Sequence, residues 1–151
     1  MATTGLPHWP WHYAEADALP TAERLVIDAV RAWAAAAHQA RPRGAAMRQI
    51  LATEGAEAAS GPLDALLATL AQRPLTLGCP LCPKLVGEEP ALLLALGCAQ
   101  HLRRREALGL LLRHAPPREA YAATAASITV GVALRTAGLV FVEPWRTPRK
   151  G

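Results

Sequence analysis

Proline and glycine divide this sequence into six segments whose apolar residues recur at helical spacing, each long enough for one helix. After Pro20, Leu25, Val26, Ala29, Val30, Trp33 and Ala37 fall on one face. Thr21 stands as N-cap and Glu23 in the first turn, so a helix is predicted from there to about Gln39, stopped before Pro42 and Gly44. A second helix is predicted over 45–54 with Met47, Ile50 and Leu51 as its apolar side, ended by Gly55. Ser60 precedes a third over "GPLDALLATLAQ", where Pro62 sits near the start and its missing N–H costs little. The run "EEPALLLALGCAQHLRR" carries acids at its start and arginines at its end, as a helix complementing its own dipole would. A fifth helix, "EALGLLLRH", stops at Pro116 and Pro117; a sixth covers 118–137, with Gly138 as its cap.

Composition points the same way. Apolar residues make up 52% of the 151, yet only seven are aromatic, so the core volume comes from Leu, Val and Ala. Ala and Leu are the strongest helix formers, and Ala is depleted from strands. The fold class is therefore all-α: a compact bundle-like or orthogonal array of about six helices, with very short extended segments at 73–78 and 139–145. Residues 1–19 read as an extended aromatic arm and 20–151 as a single helical domain with a cysteine-rich loop at 78–90.

That loop, "LGCPLCPKLVGEEP", holds two of the three cysteines, Cys79 and Cys82. The third is Cys98, and His101 follows it by three positions, which puts both on one face of the predicted fourth helix. Cys-x2-Cys followed by Cys-x2-His suits tetrahedral zinc, which takes thiolate and imidazole ligands in closely spaced pairs. Cys79, Cys82, Cys98 and His101 are thus the expected ligands of a structural zinc ion pinning a proline-rich loop, with Glu88, Glu89 or His114 as substitutes for the histidine. Two other readings stay open. Cys79 and Cys82 form a Cys-Pro-x-Cys redox pair with Cys79 as nucleophile, or all three cysteines are inert thiols.

The charge is +4 and unevenly placed. Seven basic and nine acidic residues lie up to Leu102; from Arg103 onward there are nine basic and three acidic. Arg103, Arg104 and Arg105, with the tail "RTPRK", offer a face to nucleic acid on charge alone, with no recognition helix or aromatic platform. Trp9, Trp11 and Tyr13 hold three of the seven aromatics, and either anchor a protein partner or cover an alanine-rich core. No phosphate loop, nucleophile elbow or His-Glu-x-x-His motif asks for an enzyme. The start lacks the charged and apolar regions of a secretory signal, and 120–134 is too short and too rich in Ala and Thr to span a bilayer. Together these features predict a cytoplasmic, zinc-stabilised accessory or protein-interaction module, with thiol–disulfide exchange as the alternative and nucleic-acid association after it.

Overall fold

The computed structural model describes residues 11–143. Among them the chain forms six helices: α1 (Thr21–His38), α2 (Arg43–Ala52), α3 (Ser60–Leu70), α4 (Glu89–Gln100), α5 (Arg104–Leu111) and α6 (Pro117–Thr136). Single turns of 3-10 helix occur at Ala16–Ala18 and Glu57–Ala59. The all-α class and the number of helices match the sequence-based expectation. The described parts of 73–78 and 139–145 are non-helical but form no ladder; one antiparallel bridge joins Glu15 to Lys84.

The architecture is organised by α4, whose every residue from Glu89 to Gln100 is buried. A helix that is apolar all round must be enclosed on all sides. Here α5 and α6 pack against α4, α1 touches it, and α2 and α3 complete the body by packing on α1 and α6. Leu92, Leu93, Leu94 and Leu96 each lose nearly all contact with water, worth about 2 kcal/mol apiece. Trp33 of α1 donates from Nε1 to Asp64 of α3 at 2.6 Å, so its polar edge is satisfied while its ring fills the core.

α4 stops earlier than predicted. Leu102 takes the left-handed conformation (φ 63°), and the N–H groups of Arg103 and Leu102 return to the carbonyls of Cys98 and Ala99. This closing turn satisfies the last carbonyls of the helix and reverses the chain without a glycine. Arg104 and Arg105 consequently open α5 instead of ending α4, and turning there lets α5 bury Ala107, Leu110 and Leu111. The last described stretch folds back over α4 and α6. Gln100 donates to the carbonyls of Gly131 and Leu139 and accepts from the N–H of Phe141, whose ring is buried.

Of the arm expected at 1–19, residues 11–19 are described and are not simply extended: Ala16–Ala18 make a helical turn, and Trp11, Ala16 and Leu19 join the core. Tyr13 stays exposed, and Trp9 lies outside the described residues. Among the described residues no helix is long and apolar enough to cross a membrane.

One buried acid is at odds with this core. Glu23, in the first turn of α1, is fully enclosed, and neither carboxyl oxygen has a hydrogen-bond partner among the described residues. Burial raises its pKa from 4.5 to about 7, against a smaller opposing pull from the backbone N–H groups of Glu23 and Val142. Below pH 4.5 the group is neutral whether the chain is folded or not. As pH rises through about 7 the unfolded chain gains a solvated carboxylate before the folded one ionises, so folding stability falls, by about 3 kcal/mol in all. Glu23→Gln should therefore flatten the fall in stability between pH 4.5 and 7 and stabilise the protein above it, as measured by urea unfolding across that range.

Candidate functional site

The loop between α3 and α4 is held from below by a buried ion pair. Arg31, on the inner face of α1, and Glu89, the first residue of α4, have side chains only 1% and 0% exposed. Arg31 Nε and Nη2 donate to the two carboxylate oxygens of Glu89 at 2.8 and 3.0 Å, a two-point pairing. The remaining capacity goes to the loop. Arg31 Nη1 donates to the carbonyl of Cys82 (2.8 Å) and Nη2 to that of Lys84 (3.0 Å), while Glu89 accepts from the N–H groups of Gly78 (3.1 Å) and Val86 (2.8 Å). Four loop backbone groups thus end on two side chains that satisfy each other, which a buried pair of charges needs in order to be stable.

The loop sequence fits this clamp. A Cβ on Gly78 would stand 2.9 Å from the Arg31 guanidinium. Gly87 has φ +54° and no room for a Cβ beside Thr76, whose N–H donates to Glu88 and whose carbonyl accepts from the N–H of Glu88. On the outer side, residues 14–16 tie down the loop through Ala16 N–H to Pro83 O (2.8 Å) and Leu85 N–H to Ala14 O (2.9 Å).

So held, Cys79 and Cys82 form the ends of a turn closed by Cys82 N–H to Cys79 O (3.1 Å). Their Sγ atoms lie 2.9 Å apart, and the N–H of Cys79 donates to Cys82 Sγ at 3.2 Å. Cys79 is exposed; Cys82 is half-buried. The two thiols are unlike. The Cys79 pKa is lowered, chiefly by a hydrogen bond from Cys82, with support from the N–H groups of Leu81 and Cys82 and the nearby Arg31 charge. The Cys82 pKa is raised, because its proton is held in that same bond.

The other two expected zinc ligands are engaged elsewhere. Cys98 is buried in α4, and loss of hydration pushes its thiol up to about 11, with Glu106 adding to the rise. The His101 ring bonds through Nε2 to the carbonyl of Phe141 at 2.6 Å, and its Nδ1 faces Glu143 at 3.7 Å. Among the described residues no three of His, Cys, Asp and Glu are grouped closely enough to hold a metal ion. The pair Cys79–Cys82 is brought together; Cys98 and His101 do not complete it. Of the substitute ligands, both Glu89 oxygens bind Arg31 and Glu88 binds Thr76, whereas His114 lines a small apolar cavity beside α4 with its Nε2 buried and without a hydrogen-bond partner among the described residues. Arg103, Arg104 and Arg105 are exposed where α5 begins, and Arg103 faces Glu106 at 3.5 Å.

Sequence reading missed Arg31 altogether and saw Glu89 as a helix-start acid and a substitute zinc ligand, not as the partner of a buried arginine. The signal was present: Glu23, Ile27 and Arg31 recur every four residues on α1, which puts two charges on a buried stripe. A charge in such a place needs a partner from elsewhere in the chain. Removing one member leaves the other buried and unpaired, at a cost of about 3–5 kcal/mol. Arg31→Met should therefore destabilise the protein by that order and raise hydrogen exchange first at the N–H groups of Gly78 and Val86. In the native protein Cys79 should react first with a thiol reagent, Cys82 more slowly, and Cys98 only on unfolding.

No protein-family model matches the chain, and neither a curated protein nor a solved structure shows significant similarity to it; its chemistry is read from its own residues.

Proposed function

We propose that the protein carries out thiol–disulfide exchange, with Cys79 as the attacking thiolate and Cys82 as the resolving thiol. The observation that carries this reading is the pair itself: two sulfurs 2.9 Å apart, one exposed with a lowered pKa, the other half-buried with a raised one. Exchange needs that asymmetry, since the thiolate is the nucleophile and its neighbour must keep its proton until the second step. The zinc clamp predicted from spacing has less support, because its role of pinning the loop is already filled by Arg31 and Glu89.

The reaction runs in two displacements. Cys79 Sγ⁻ attacks one sulfur of a substrate disulfide; that disulfide breaks, its other sulfur leaves as a thiolate and takes up a proton, and Cys79 is joined to the substrate. Cys82 then loses its proton and attacks Cys79 Sγ. The bond from Cys79 to the substrate breaks, and the second substrate sulfur leaves and is protonated. Two electrons and two protons pass from the dithiol to the substrate, and a cellular thiol or dithiol returns the Cys79–Cys82 disulfide to its reduced form. Arg31 contributes at both stages: its charge favours the Cys79 thiolate, and its bond to the Cys82 carbonyl fixes the resolving residue behind it.

Trapping tests this directly. With a cystine-containing peptide as substrate, Cys82→Ser should accumulate a mixed disulfide at Cys79, Cys79→Ser should form none, and Cys98→Ser should turn over like the unaltered protein. A chain in which Cys79 and Cys82 never form a reversible disulfide, or in which one zinc ion per chain shields both from a thiol reagent until chelation, would contradict the proposal.

A further inference from the structure

Two adjoining hollows run along the exposed side of α1 and end at Cys79. One, about 310 Å³, is lined by Ala34, Ala35, His38, Leu77, Cys79 and Pro80 among others. The second, about 380 Å³, extends it past Trp33 to Arg43 and Arg73. They share Ala34, His38 and Leu77, and so form one trough. Alanines on α1 make its floor shallow and unobstructed; the other wall is the non-helical run 73–78.

Two properties of this trough point to an occupant. First, the backbone of its wall is half used. The N–H groups of Thr76 and Gly78 are bonded to Glu88 and Glu89, whereas those of Leu75 and Leu77, which line the trough, have no partner among the described residues. Backbone donors left this way are completed by water or by an added strand. Second, the far end is cationic. Arg43 lies over the face of Trp33 at 4.5 Å, and neither Arg43 nor Arg73 forms an ion pair among the described residues.

We infer that this trough is the substrate subsite of the exchange reaction and takes an extended, acidic peptide segment carrying the disulfide sulfur. The segment lies along 73–78 in strand fashion, presents its sulfur to Cys79, and places carboxylates against Arg43 and Arg73. This inference rests on the thiol–disulfide reading of Cys79 and Cys82. It adds what the pair alone does not give, a preference for polypeptide over small disulfides and for acidic over basic flanks.

The test uses the Cys82→Ser protein and peptides whose single cysteine is joined to a chromophoric aromatic thiol, so that attack by Cys79 releases the chromophore. One peptide carries glutamates on the flanks, one carries lysines in the same places, and the symmetrical small disulfide of an uncharged aromatic thiol serves as reference. The glutamate peptide should react about tenfold faster than the lysine peptide at low salt, a preference that shrinks at high salt. Arg43→Gln with Arg73→Gln should bring the two peptides within about twofold, and Arg73→Glu should favour the lysine peptide, each rate being taken relative to that of the reference disulfide with the same variant. Equal rates for both peptides in the unaltered protein, alongside a fast reference reaction, would overturn the subsite and leave the exchange reading standing. A slow reference reaction would overturn both.

Discussion

The buried pairing of Arg31 with Glu89 is the interaction on which the rest of the site depends. It joins the middle of α1 to the start of α4 and also holds the loop between α3 and α4. A loop with prolines at 80 and 83 is poor in backbone donors and, among the described residues, has no neighbouring strand beyond the bridge at Lys84. Without side chains reaching its carbonyls and amides, it would have little reason to keep one shape. Enclosed charges are a costly way to build a core, and hydrophobic replacements are often no less stable. Here the same two groups set the geometry of the cysteine turn and lend Cys79 a nearby positive charge.

Fold and site are linked through α4. Its uniform apolar surface requires cover on every side, which places α1 and α6 against it and brings Arg31 to Glu89. Glu89 is buried as part of that enclosure, so the packing of the core sets where the loop is anchored. The third cysteine belongs to the core half of this arrangement. Cys98 sits where thiols behave as small apolar side chains, and its raised pKa follows from the lack of water around it.

The fold was legible to the extent that it depends on local pattern. Proline and glycine placed most helix ends within a few residues, and the alanine–leucine core excluded strands. The end of α4 was not legible, because Leu102 adopts a left-handed conformation that glycine or asparagine would have announced. Of the site, the Cys79–Cys82 pair could be read directly from the sequence, whereas its support could not. Arg31 and Glu89 are 58 positions apart, and only three-dimensional packing pairs them. Spacing alone made Cys98 and His101 resemble the second half of a metal site. The turn at Leu102 and the return of Phe141 over α4 give the His101 ring a different partner.

The most direct measurement is the pH dependence of Cys79 alkylation in a protein carrying both Arg31→Met and Glu89→Met. Replacing both members leaves neither charge buried and unpaired, so the helices can persist while the clamp is gone. The account predicts unchanged helical content by circular dichroism, with the alkylation midpoint of Cys79 moved upward to that of an ordinary exposed thiol. An intact helical fold whose Cys79 midpoint stays where the unaltered protein has it would show that the Arg31–Glu89 pair does not govern the cysteine turn, and would contradict the account.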